Sequence, residues 1–417
     1  MGDISLNSDI EIPFQAHNDR LPIEIKSMIT EDISTRFNLP EGVHFINCAT
    51  RGPFSNAVEK AGTEAILQFS PKIHQIRPDH FFEGAWVVRE LFSQLIHCPD
   101  KERIAIVPSV SYAMAIVARN LHRKPGLRAG QHILLLGEEF PSDVYAWSRV
   151  CQELSLTIKT IAMPTAEALG REWNARILEA INEDTALVVL PHVHWQYGVR
   201  FDLVQISART KQVGALLAVD GTQSVGALDF DLQAIKPDML VCAAYKWIMG
   251  PYGMGLTYFG EFFDGGIPLE ESWMAREESN VFYKLTEYQE TYRPKAYRYN
   301  VGEHSHFIQM PMLEVALREK LEWGSEAIQE HCRRLWERPV QQLTSLGLKF
   351  EPEAERAHHL VGIRLPENTD VLKIQQALEA GKVIVAARGQ GIRVAPHLYN
   401  HPADMNALVE SLTQAKA

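Results

Sequence analysis

The chain has 417 residues, which at about 150 residues per domain allows two to three domains and is ample for a buried core. With 46% hydrophobic and 22% charged residues it reads as a folded globular protein, which excludes disordered, collagen-like and coiled-coil classes. The 41 Lys and Arg against 52 Asp and Glu give a net charge of -11, which disfavours nucleic-acid backbones and anionic membranes as partners.

Residues 1–40 read as an acidic arm, MGDISLNSDIEIP, followed by a helix over PIEIKSMITEDISTRF. The arm lacks the basic and apolar regions of a secretion signal, and Leu6 stands where a myristoylation signal wants Ser or Thr. From 104 to 259, seven short apolar runs bounded by turn residues predict strands: IAIV, HILLL, TIKTI, ALVVL, ALLAV, MLVCA and MGLTYF. Their continuous apolarity suits burial on both faces, and SYAMAIVARNLH and PSDVYAWSRVCQEL between them read as helices. The expected architecture is α/β, a mainly parallel, seven-stranded, doubly wound sheet in a large domain over residues 41–262. Beyond it, residues 263–303 are polar and aromatic-rich, with Trp273, Phe282, Tyr283, Tyr288, Tyr292, Tyr297 and Tyr299, and read as a lid or as packed loop. A long helical pattern from Ile308 to Leu346, the strand-like HHLVGIRL, KVIVAAR and GIRVAP, and a helix over PADMNALVESLTQ complete a smaller C-terminal α/β domain, residues 263–417.

Cys48, Cys98, Cys151, Cys242 and Cys332 are far apart with no C-x-x-C pair, which fits reduced thiols and a cytoplasmic location. No run of 18 apolar residues occurs, so no membrane span is expected.

The densest chemistry lies in residues 216–255. Asp220 ends one predicted strand and Lys246 follows the next, at the sheet edge where α/β folds place ligands. Burial there lowers a lysine pKa and suits the amine to Schiff-base formation with pyridoxal phosphate, whose ring nitrogen a buried Asp220 would keep protonated. Gln223 is placed to donate to the ring hydroxyl and Tyr245 to offer its phenol to the phosphate. Taken alone, the pair reads more readily as a snorkelling lysine and a turn-capping aspartate.

The D-G-T-Q-S-V-G segment, A-Y-K-W and G-P-Y-G-M-G together resemble the cofactor-lysine region of class V aminotransferase-like enzymes of fold type I, the group of cysteine desulfurases, kynureninases and isopenicillin N epimerase-like proteins. The resemblance extends from FINCATRGPFS to GIRVAPHLYN. It implies pyridoxal 5'-phosphate joined to Lys246 as an internal aldimine, an amino-acid substrate, and a homodimer with the site at the subunit interface. In the V-P-S-V-S-Y-A turn, Ser111 and Tyr112 fall at the phosphate position, at a helix N-terminus. Phe140 of E-E-F-P-S-D matches the aromatic that stacks on the pyridine, and His194 of H-V-H-W-Q-Y-G, with His192 and Gln196 as alternatives, falls near the ring oxygen. Arg393 of R-V-A-P matches the arginine that grips the substrate carboxylate, with Arg388 a second candidate; Asn47 and Trp273 join the substrate set. H-x-H also reads as a metal pair, but no third ligand follows at a recognised spacing, so no metal is assigned.

Two departures stand out. The stretch before Arg393 has no cysteine where desulfurases carry their nucleophile, which argues against that reaction. R-Y-N-V-G-E-H-S replaces the R-F-x-x-G-T that lends a threonine to the partner's phosphate, leaving Asn300, His304 or Ser305 for that contact. The reaction after Cα proton removal stays open among transfer, elimination, Cβ–Cγ cleavage and epimerisation. A non-catalytic amino-acid-binding homologue and a metal hydrolase on His192 and His194 are the other readings.

Overall fold

The computed structural model describes residues 32–165, 167–367, 369–388 and 391–416. Most of the predicted first helix lies outside them; Ile33–Arg36 forms a single 3-10 turn. The elements in chain order begin with β1 (His44–Phe45), α1 (Asn56–Phe69), α2 (His80–Leu95), β2 (Ile104–Val107), α3 (Val110–Asn120), β3 (His132–Leu136) and α4 (Tyr145–Leu154). There follow β4 (Thr157–Ile161), α5 (Leu169–Ala180), β5 (Thr185–Pro191), α6 (Leu203–Val213), β6 (Leu216–Asp220), α7 (Leu232–Ile235), β7 (Met239–Ala243) and β8 (Gly255–Phe259). The chain closes with α8 (Gln309–Trp323), α9 (Ser325–Ser345), β9 (Val361–Arg364), α10 (Val371–Ala380), β10 (Val383–Ile384), β11 (Ala386–Arg388), β12 (Gly391–Val394) and α11 (Pro402–Lys416).

All seven predicted strands form and join one sheet in the order β2-β8-β7-β6-β5-β3-β4. β8 runs antiparallel to both of its neighbours and the other pairings are parallel. Alternate residues feed two cores. Ile106, Leu134, Val188, Val219 and Leu240 pack on one face with α2, α5, α6 and α8, whereas Val107, Leu135, Val189, Ala218 and Val241 meet α3 and α4 on the other. Burial on both faces is why the strands inside the sheet read as apolar runs, whereas the edge strand β4 is mostly exposed.

The antiparallel sheet β11-β12-β9 packs with α9, α10 and α11 around a separate core containing Trp336, Ile363, Ile374, Ile392 and Leu408. The predicted Ile308–Leu346 helix is two helices, because Gly324 adopts φ +73 and turns the chain between α8 and α9. The segment after 262 also divides its packing: Ala296, Tyr299, Met310 and Leu313 belong to the large sheet's cores. Conversely, β1 pairs with β10, so the chain ahead of the large sheet is tied to the C-terminal part. Among the described residues no helix is long and apolar enough to cross a membrane.

Candidate active site

β6 and β7 are parallel neighbours with Asp220 opposite Val241, so Asp220 and the turn carrying Lys246 share one edge of the sheet. Lys246 is 9% exposed, and burial pulls its ammonium down to about 8 against the opposing pull of Asp220. Its Nζ lies 5.5 Å from the ring centroid of Phe140, which the turn after β3 delivers, and 5.8 Å from that of Tyr245. The N-terminal segment lies directly on this turn. Gly52 N donates to Tyr245 O at 2.9 Å, and a Cβ on Gly52 would sit 2.7 Å from Met249 Cγ, with the Lys246 carbonyl closer still.

Asp220 Oδ1 accepts from Thr222 N at 2.8 Å. Two further carboxyls that the sequence reading did not single out stand near it. Asp143 is buried with no hydrogen-bond donor on either oxygen, and burial followed by the Asp220 and Glu139 charges raises its carboxyl well above the usual range. Glu139 Oε1 accepts from Phe140 N at 2.7 Å while Oε2 has no partner, and burial pushes this carboxyl up to about 8. Burial and mutual charge thus disfavour ionisation of Asp143 and Glu139 beside the half-buried Asp220. The available signal was the pair of acids flanking Phe140 in E-E-F-P-S-D.

Trp195 meets the Phe140 ring edge-on at 5.7 Å. Arg393 on β12 is buried, donating Nη1 to Trp195 O at 3.0 Å and Nη2 to Thr50 Oγ1 at 2.6 Å, while Nε has no partner. Thr50 donates in turn to Asn47 Oδ1 at 2.8 Å. Burial, helped by the charge of Arg388, lowers the Arg393 guanidinium to about 10. Lys246, Asp220, Phe140, Tyr245, Arg393 and Asn47 thus come together from segments more than 300 residues apart.

Other predicted residues have different employment. At the N-terminus of α3, Ser109 caps Tyr112 N at 3.2 Å and its hydroxyl meets that of Ser111 at 2.9 Å. The Tyr112 hydroxyl is committed to Glu270 Oε1 at 3.0 Å, and Glu270 Oε2 takes Gly302 N at 2.7 Å. Gln223 donates to Ala49 O at 3.2 Å and accepts from Trp247 Nε1 at 2.9 Å, which leaves one amide proton for another acceptor. His194 has no exposed surface: its ring stacks on Tyr197 at 5.0 Å, Nδ1 accepts from the Gln196 and Tyr197 amides, and burial lowers it to about 3. His194 is therefore a packed, buried histidine in this structure. Trp273 packs edge-on against Phe81, Phe82 and Phe282 over α2, and shares no ring contact with Phe140 or Trp195. Asn300 Oδ1 accepts from Ile106 N, Ser305 donates to Phe81 O and His304 is 2% exposed, so all three turn into their own chain. Among the described residues no three His, Cys, Asp or Glu are grouped to hold a metal.

A buried amine, a facing carboxylate, an aromatic face and a helix N-terminus form a donor set that fits a pyridine bearing an aldehyde and a phosphate.

The chain matches the aminotransferase class-V family model over residues 72–409. It is 26% identical to the uncharacterized aminotransferase YcbU of Bacillus subtilis, covering 78% of this chain and 82% of that protein. Isopenicillin N epimerase of Amycolatopsis lactamdurans is 28% identical, with 79% and 84% covered. In fold, it resembles the cysteine desulfurase CsdA of Escherichia coli (TM-score 0.76, 17% identity, 92% and 97% covered). It also resembles the lyase C-DES, solved with glycine covalently linked to its PLP cofactor (TM-score 0.78, 20% identity, 92% and 99% covered). With a family model spanning most of its length and this site at its sheet edge, the chain belongs to the aminotransferase class-V family, as an enzyme of fold type I.

Proposed function

We propose that the protein is a pyridoxal 5'-phosphate-dependent enzyme that moves the Cα proton of an amino acid. The observation that carries the reading is Lys246: a buried amine lowered to about 8, beside Asp220 and 5.5 Å from the Phe140 ring. Held covalently there, the cofactor would supply an electron sink for the electrons left at Cα. Lys246 would be the base that takes the Cα proton, and its lowered pKa suits it to that role near neutral pH. Asp220 would hold the proton at the pyridine nitrogen, and Phe140 would pack on the ring. The α3 N-terminus with Ser111 takes the phosphate, with the second Gln223 amide proton for the ring hydroxyl. Arg393 orients the substrate carboxylate, with Asn47 and Thr50 holding its fork.

Cysteine desulfuration is disfavoured, since all five cysteines are buried and burial raises their thiols. A homodimer is supported by apolar side chains left open to solvent on and just beyond α1: Ile66 at 59%, Leu67 at 69% and Ile73 at 54% exposure.

The test is the visible absorption of the purified chain with added cofactor, together with NMR of α-proton exchange in deuterated water for a panel of L- and D-amino acids. Wild type is expected to gain an absorption band and exchange the α-proton of one substrate class. Lys246→Ala should lose both, with exchange falling by several orders of magnitude. A colourless wild type, or exchange that survives in Lys246→Ala, overturns the proposal. The product formed then assigns transfer, elimination, cleavage or epimerisation.

A further inference from the structure

Beside Arg393 the site continues into a recess that the proposed roles leave unused. Its volume is about 340 Å³, at the small end of the roughly 300–1,000 Å³ of ligand pockets. Phe45 and Phe54 line its apolar side, and Asn47, Thr50 and Arg51 its polar side. Gly52 also lines it, and through Gly52 N to Tyr245 O the recess abuts the Lys246 turn. Thr50 and Asn47 are the same residues that hold the Arg393 fork, so carboxylate clamp and recess are continuous.

Arg51 is exposed and, among the described residues, makes no hydrogen bond or ion pair; its guanidinium lies 5.8 Å from the Phe54 ring centroid. Glu59 lines the recess too, yet no ion pair joins it to Arg51. Arg388 is close enough for its charge to depress the Arg393 guanidinium. The charged lining is thus Arg51 and Glu59, with Arg393 behind Thr50: one guanidinium serves the α-carboxylate, and Arg51 is surplus to that task. A bidentate fork beside an apolar wall suits an acid at the end of a short carbon chain.

We infer that the recess receives the side chain of a substrate bearing a second carboxylate, with Arg51 holding that distal group while Arg393 holds the first. This rests on the reading of the site as an amino-acid site.

The test is calorimetric titration of the cofactor-loaded full chain with glutarate and adipate against valerate and hexanoate, the monocarboxylates of equal length. Each dicarboxylate is expected to bind about tenfold tighter than its partner, a ratio that shrinks as salt rises. Arg51→Gln should bring the ratio near one, and Arg51→Lys should keep part of it. A wild-type ratio near one, or a ratio unchanged in Arg51→Gln, overturns the inference. A cofactor-derived band with a ratio near one sinks this inference alone. Absence of the band with the preference intact sinks the catalytic reading and leaves Arg51 as an acid anchor.

Discussion

Lys246 and Glu139 are two buried ionisable residues at one sheet edge, and burial acts on them in opposite senses. It disfavours the charged form of each, so the amine is pulled down to about 8 and the carboxyl pushed up to about 8. For Glu139 the consequence for stability has a definite sign. Between the ordinary carboxyl value of 4.5 and about 8, the folded chain holds a proton that the unfolded chain has released. Stability contributed by that proton is full below 4.5 and is lost as pH rises through about 8, at no more than about 1.4 kcal/mol per pH unit. Glu139→Gln is expected to remove this component. Its urea midpoint should decline less than that of wild type between pH 5 and pH 8, and parallel midpoint profiles would contradict the assignment. The amide keeps an oxygen for Phe140 N, so the turn itself should survive the exchange.

At the scale of elements, the site depends on how closely the 47–52 segment lies on the Lys246 turn. Gly52 is a glycine for want of space: a methyl there would press on the Lys246 carbonyl and Met249 Cγ. Gly52→Ala should therefore cost about 1–3 kcal/mol and move the turn. The expected result is a lower thermal midpoint together with weaker cofactor absorbance; an unaltered midpoint would show that the turn yields freely. Six of the seven strands were legible as apolar runs buried on both faces, a property written locally in the chain, whereas the edge strand β4, TIKTI, is mostly exposed. The break at Gly324 was less legible, because a long apolar periodicity runs through it and only a left-handed φ separates α8 from α9. Arg393 was legible from its alternation with Ile392 and Val394 and from the resemblance. Its partners Thr50 and Trp195 were not, since they lie 343 and 198 residues away.

At the scale of the whole molecule, exposed apolar groups gather on and beyond α1, where Ile66, Leu67 and Ile73 are more than half exposed among the described residues. A second copy is the occupant that the proposed function calls for. In analytical ultracentrifugation the wild type is expected to sediment as a dimer. Leu67→Asp, at a position 69% exposed, should shift the population toward monomer with its circular dichroism unchanged. A monomeric wild type, or a variant that remains dimeric, would remove this face from the interface.

By itself the sequence determined the strand count, the two-faced burial of the sheet and the Asp220–Lys246 address, because hydrophobic period and strand-end position are local properties. Only the tertiary structure decided that Asp143 and Glu139 crowd Asp220, that His194 packs into the core, and that Arg51 opens onto a recess continuous with Arg393. Those outcomes depend on which distant segments share a volume, and burial, charge coupling and free hydrogen-bonding capacity exist only once they do.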